Sequence, residues 1–473
     1  MNPSLKELIA ALPHDDATEA APELSEERLR EIFANLAGRR VPAGSVQRLW
    51  SLSGLSAQIA LAYFAYWTRQ WFLDADKRRQ RLVETNLAVA LKMIHRMGYL
   101  RGAVAKVGQF LGSLPEVLPD EIVSTLDRLH FQAPPMHFSL LREMVRNELG
   151  SDPEDIFESF DTQAFAAATI GQVHRARLKS GEDVAVKIQY PGIARAIDGD
   201  MRNLHALLFP TRLGRHWESV KGLLEEIQRT LHLEADYERE AENLRDVGGL
   251  FVAEDGIVVP RLFESYSTKR VLTTEYLPGM LLDQFLATKP NQETRDQFGS
   301  KLNTAWFRMY YSGISHMDPH SGNYIFMEDG RLGILDFGCV QRYDAQEIEL
   351  MKSFFRRLID GDSSALADFL RVAGVDAKNS RNADAIEQVE AFILWTNEPL
   401  RQTGPFDFGN PDRLRKGIEI LGNICRKRYA KSDPKYLYTT RSSLGMTAML
   451  LRLRARVDSR FIHDREAGKE EEK

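Results

Sequence analysis

His316-Met317-Asp318-Pro319-His320-Ser321-Gly322-Asn323 is followed, thirteen residues after its asparagine, by Asp336-Phe337-Gly338. Between the two motifs the sequence reads as two short apolar strands, Asn323 to Met327 and Leu332 to Leu335. The five-residue step from Asp318 to Asn323 lets one side chain face an acceptor hydroxyl while the other turns to a metal. Asp336 then closes a Mg²⁺ site from the following loop. A turn containing Asp-Pro and Gly-Asn would explain the first motif alone, and Asp-Phe-Gly arises by chance. Both in this order point to phosphoryl transfer.

Such chemistry also needs a phosphate cradle and a cation on the phosphate oxygens, and both are sought upstream. Val184-Ala185-Val186-Lys187 lies in a strand pattern, Asp183 to Gln189, that pairs as a hairpin with Gln172 to Leu178 around Lys179-Ser180-Gly181-Glu182. An ammonium there reaches the α/β-phosphates of ATP or ADP, although a strand-end lysine is ordinarily just solvated. The preceding loop, Ala166-Ala167-Ala168-Thr169-Ile170-Gly171, carries alanines where a protein kinase repeats glycines. Alanine keeps the N–H groups that cradle phosphate but restricts φ, which predicts a stiffer loop; an alanine-rich helix start is the other reading.

A lysine in this role needs a carboxylate from the intervening helix, and Leu233-Glu234-Ala235-Asp236-Tyr237-Glu238-Arg239-Glu240 offers several. Asp236 and Glu240 share a helix face, whereas Glu234 points about 200° away from Asp236 in an ideal helix. If Glu234 and Asp236 serve one site, the helix must start or bend there; a solvated charged face is the plainer reading. The purine is expected against backbone groups of Glu275 to Leu277, where a strand leaves into Pro278-Gly279 with Thr274 behind it.

Outward from this centre the pattern is mostly helical. Residues 1–45 read as a polar leader and 46–160 as a helical extension. The extension includes helical stretches at Phe138 to Leu149 and Pro153 to Phe160. Strand patterns begin near Phe165 and include Val258 to Ser265 and Arg270 to Tyr276; a long helical pattern runs from His216 to Leu250. Helices then dominate to about Val457, before a charged tail.

Over 473 residues, 43% hydrophobic and 27% charged, this is the composition of a globular protein, and a formal charge of -5 gives no global attraction to nucleic acid. Two cysteines, Cys339 and Cys425, supply neither a disulfide framework nor a Cys-based zinc site. Leu49 to Thr68 is uncharged and long enough to span a bilayer, but Ser51, Ser53, Ser56 and Gln58 dilute it, which favours a buried or interfacial helix. The expected location is cytoplasmic, with peripheral attachment at the inner face of a membrane as the extension of that reading.

Together the motifs resemble the UbiB/AarF-type atypical kinase family across about Leu82 to Tyr343. Lys106-Val107-Gly108-Gln109 looks like that family's Lys-x-Gly-Gln motif, with Lys106 and Gln109 on one helix face. The resemblance implies an α+β, two-lobed protein-kinase-like fold with an N-lobe at 161–277, a C-lobe at 278–460 and a helical extension over the substrate side of the cleft. It implies that Lys106 pairs with Glu234 and Asp236, and that Glu240 partners Lys187. It also implies that the alanine loop suppresses protein-kinase activity. Asp318 becomes the base, Asn323 and Asp336 the Mg²⁺ ligands, and isoprenoid-quinone precursors, a membrane surface or biosynthetic enzymes the implied partners. Two other readings stay open: a small-molecule kinase of the aminoglycoside or choline type, and a nucleotide-gated lipid- or protein-binding module without catalysis.

Overall fold

The computed structural model describes residues 138–168, 170–193, 197–199, 201–202, 225, 228–362, 364, 382–427, 429 and 434–468. Lys106, Gln109, Thr169 and the Leu49 to Thr68 run lie outside them. The chain divides into Met1–Leu49 and Trp50–Lys473, and every described residue belongs to the second unit.

Helix α1 (Phe138–Leu149) begins the described structure and is followed by a single helical turn, Pro153–Ile156. Strands β1 (Phe157–Phe160), β2 (Ala166–Ala168), β3 (Gly171–Leu178) and β4 (Asp183–Gln189) come next. The sheet order is β1-β3-β4-β6, with β2 also paired to β3 and β6 spanning Val271–Glu275; every pairing is antiparallel. Alternation along β4 explains its two faces. Val184, Val186 and Ile188 point into an apolar core with Leu141, Met144 and Val145 of α1, which leaves Ala185 and Lys187 on the opposite face.

Two expectations fail locally. The helix expected from Pro153 to Phe160 stops at Ile156, because Phe157 and Phe160 extend along the edge of β3 and pack their rings together and against Phe138 and Tyr266. The strand expected from Val258 to Ser265 is only β5 (Ile257–Val258). Pro260 has no N–H to continue a ladder, and Glu264–Tyr266 closes instead into a 3₁₀ turn.

The long helical pattern before Leu250 is broken as well. Residues 228–234 are helical, Ala235 turns, and Asp236 caps a new helix, α2 (Tyr237–Gly248), by accepting the Arg239 N–H at 3.1 Å. The chain leaves β6 through Gly279, whose φ of 155° suits glycine; a Cβ there would meet Ile325 Cγ2 at 2.4 Å.

Beyond lie α3 (Leu282–Ala287), α4 (Gln292–Tyr311), β7 (Ile314–His316), β8 (Tyr324–Phe326), β9 (Leu332–Ile334), β10 (Val340–Arg342), α5 (Ala345–Ile359) and α6 (Ala383–Thr396). They are followed by β11 (Phe406–Asp407), α7 (Pro411–Lys427), α8 (Pro434–Leu453), β12 (Arg456–Val457) and α9 (Ser459–Glu466). A second core gathers around α4, where Phe298, Leu302, Phe307 and Tyr310 meet Phe326, Ile334, Phe337 and Leu450. β8 and β9 pair antiparallel, and β5 joins them parallel to β9, so a strand from before β6 shares one small sheet with two strands from beyond Gly279. β7 pairs with β10, which sets His316 opposite Val340 and brings the loops carrying Asp318 and Asp336 side by side.

Candidate active site

Lys187 stands on the face of β4 turned away from the apolar core, opposite Val173 of β3 and Leu272 of β6, with its side chain largely buried. Its ammonium reaches Glu240 Oε1 at 2.7 Å and Oε2 at 2.9 Å, and Asp336 Oδ2 at 3.0 Å. Residues 53 and 149 positions away in sequence therefore meet on one cation. Glu240 is on the buried face of α2, with 2% of its side chain exposed, while Asp336 keeps 34% open to the cleft.

Burial alone would lower the Lys187 ammonium, but Asp336 and Glu240 outweigh it and hold it well above the ordinary lysine value. Burial pushes the Glu240 carboxyl up to about 7 despite the Lys187 charge, with Asp336 adding repulsion. Asp336 goes the other way. Burial raises it, yet the Lys187 charge and the Gly338 N–H, which donates to Oδ1 at 2.9 Å, bring it down to about 2. One of the two carboxylates is thus held firmly ionised and the other is the site's weak acid.

The Asp318 loop is fixed from behind. The Asp318 N–H donates to His316 Nδ1 at 3.2 Å, so the other ring nitrogen, Nε2, carries the proton that meets the Asp336 carbonyl at 2.8 Å. Burial lowers the His316 imidazole, consistent with this neutral tautomer. Asn323 Nδ2 donates to the Asp318 carbonyl at 2.9 Å, so its acceptor atom, Oδ1, is the one that could ligate a cation. The Leu335 N–H donates to the Asn323 carbonyl at 2.9 Å, so Asp336 follows directly on a residue bonded to Asn323.

Helix α2 holds the Asp-Phe-Gly segment through its backbone. Asn243 Nδ2 donates to the Phe337 carbonyl at 3.0 Å, Arg342 donates to Asn243 Oδ1 at 2.8 Å, and Arg239 reaches the Val340 carbonyl at 3.2 Å. Glu234 and Asp236 sit on either side of the helix break. A Cβ on Gly338 would lie 3.7 Å from the Glu234 Cα and 3.5 Å from Glu240 Oε2, so Glu234 borders the cleft while Asp236 serves as a cap.

Ala166, Ala167 and Ala168 form a strand paired with Val173, Gln172 and Gly171 rather than a helix start. Ile170 is buried at the return. At the expected purine edge the Glu275 N–H is taken by the Arg261 carbonyl at 2.8 Å and the Tyr276 N–H by the Asp183 carbonyl at 3.0 Å. Both N–H groups are therefore engaged within the protein. Cys339 is a small buried residue packed on Met317.

Sequence reasoning missed the supporting residues His316, Asn243 and Ser442. His316 alone carried a local signal, its place two residues before Asp318. Ser442 Oγ donates to the His316 carbonyl at 2.7 Å and accepts from Trp306 Nε1 at 2.9 Å, a support that no short motif encodes.

No cluster of three or more His, Cys, Asp or Glu side chains is arranged to hold a metal among the described residues. One carboxylate and one amide oxygen are hard donors that suit Mg²⁺ when phosphate oxygens and water complete the shell, and they would not make a protein-only cage.

The sequence pattern of the ABC1 atypical kinase-like domain matches residues 128–370, over half of the chain. The chain belongs to the ABC1 atypical kinase-like family. This is the UbiB/AarF group that the motifs resemble, and the α+β fold is kinase-like. Among relatives of the ABC1 chain, the probable serine/threonine-protein kinase abkA of Dictyostelium discoideum is 28% identical over 90% of this chain and 79% of its own length. The mitochondrial atypical kinase COQ8 of Schizosaccharomyces pombe is 30% identical over 82% of this chain and 62% of its own. A solved complex of Rv3197 with erythromycin, from Mycobacterium tuberculosis, superposes with a TM-score of 0.56 at 25% identity, covering 83% of this chain and 98% of that one. No helix among the described residues is long and apolar enough to cross a membrane.

Proposed function

We propose that this ABC1-family chain binds Mg²⁺ with ATP or ADP and acts as an ATPase or small-molecule phosphotransferase that supports isoprenoid-quinone lipid metabolism. The observation that carries the nucleotide reading is the Lys187 ammonium shared between Glu240 and Asp336, with the Asp318 and Asn323 loop beside it. A buried cation held by two carboxylates from different elements is placed to receive phosphate oxygens without moving far.

Lys187 orients the α/β-phosphates and Glu240 keeps it aimed. Asn323 Oδ1 and Asp336 would hold Mg²⁺, which supplies charge neutralisation on the phosphate oxygens when bound. Asp318, 8% exposed, accepts the proton of an acceptor hydroxyl or orients a water. His316 keeps both loops in register from beneath, as a positioning residue. The lipid half of the proposal rests on family membership, which argues by association. Lys106 and Gln109 belong to it, as the segment proposed to cover the substrate side of the cleft. A cytoplasmic or peripheral membrane location is part of the same proposal.

The test is Mg²⁺-dependent nucleotide turnover by Asp336→Asn, with and without quinone-like compounds and liposomes. Turnover should fall about 100-fold or more. Full turnover in the variant would overturn the metal role, and absence of any lipid effect on the wild type would overturn the lipid half.

A further inference from the structure

Tyr237, the first residue of α2, is fully buried. Its ring lies under the Lys187 ammonium, 5.1 Å from Nζ to the ring centroid. Its hydroxyl has no hydrogen-bond partner among the described residues. A buried donor left in that state costs free energy, and a phenylalanine here would keep the ring, its packing and its attraction for Lys187 without the penalty. Packing alone therefore gives no reason for the oxygen.

Its position does. A Cβ built on Gly171 would lie 2.9 Å from the Tyr237 hydroxyl oxygen and 2.4 Å from the Ile188 carbonyl. The oxygen thus touches β3 where the alanine-rich strand re-enters the sheet. Gly171 and Val173 are two apart on β3, and Lys187 is opposite Val173, so hydroxyl and ammonium share one face of the sheet beneath the alanine strand. Burial pushes the phenol up in spite of the Lys187 charge, so it stays a donor.

We propose that the Tyr237 hydroxyl, enclosed by protein until nucleotide enters, is completed by a phosphate oxygen of the bound nucleotide, to which it donates beside Lys187. The inference deepens the nucleotide reading and rests on it. A donor to an anionic oxygen contributes enough to change affinity about ten- to a hundredfold.

Tyr237→Phe tests it. Melting of the nucleotide-free variant should be unchanged or raised, while its affinity for Mg²⁺-ADP, measured by calorimetry, should weaken about tenfold or more. Affinity for adenosine, which has no phosphate, should be the same in both proteins. Equal Mg²⁺-ADP affinity in variant and wild type would overturn the inference. So would a marked fall in the nucleotide-free melting temperature, which would show a partner already present in the folded chain, or an equal loss for adenosine. A wild type that binds no nucleotide at all would instead sink the nucleotide reading itself, so the two failures are distinguishable.

Discussion

Gly445→Ala should damage turnover far more than stability. Gly445 lies in α8 three residues after Ser442, so both present one helix face to the loop that carries Asp318. A Cβ on Gly445 would stand 2.7 Å from Pro319 Cγ and 2.7 Å from the Pro319 carbonyl oxygen. Ordinary contact needs about 3.5 Å, so a rigid ring and a backbone oxygen must retreat by roughly 0.8 Å. Overpacking of this kind costs about 1–3 kcal/mol, and the gain in helix propensity from glycine to alanine offsets about 1 kcal/mol. The net loss is then about 0–2 kcal/mol, and the protein stays folded. Pro319 is bonded directly to Asp318, and a displacement near 1 Å at a positioning group costs about 100-fold in rate. Urea unfolding together with Mg²⁺-dependent nucleotide turnover separates the two effects. Full turnover with unchanged or higher stability would show that the Asp318 loop is not held by α8.

Glu240 makes the protein's stability depend on pH. Its folded value of about 7 lies above the 4.5 of an unperturbed glutamate, so its contribution is complete below 4.5 and is lost as pH rises through 7. Glu240→Gln should flatten the fall in melting temperature between pH 5.5 and 8, measured without nucleotide; an unchanged slope refutes this. Arg308 holds Glu466 with two bonds, at 2.8 and 3.0 Å, and also reaches Asp255. Arg308→Ala should cost about 2 kcal/mol in urea unfolding, below the range for a fully buried pair because the groups are part-buried and Arg465 still reaches Glu466; a loss under about 0.5 kcal/mol would contradict it.

That Lys187, Glu240 and Asp336 would meet was legible because each sits in a short motif on a predictable strand, helix or loop. A start or bend in the helix was expected only if Glu234 and Asp236 serve one site, and the chain does turn at Ala235. The Phe157 to Phe160 strand was not legible, since its identity depends on a β3 edge that local periodicity cannot reveal. Supports such as Ser442, 126 positions from His316, and Asn243, 94 from Phe337, are fixed only by tertiary packing. The Lys106 segment lies outside the described residues, so its expected pairing with Glu234 and Asp236 stays a proposal.

The parallel pairing of β5 with β9 also decides which elements are tied together. The segment just after α2 is laced into the same small sheet that leads to Asp336, and Asn243, Arg239 and Arg342 add three more stitches. Helix α2 is therefore fastened to the Asp336 loop by side chain to backbone bonds as well as through the small sheet. The bonds from Lys187 to Glu240 and Asp336, with the Gln189 amide on the Ala235 carbonyl beside them, tie that assembly to the five-stranded sheet, so one ammonium clamps three separate elements together.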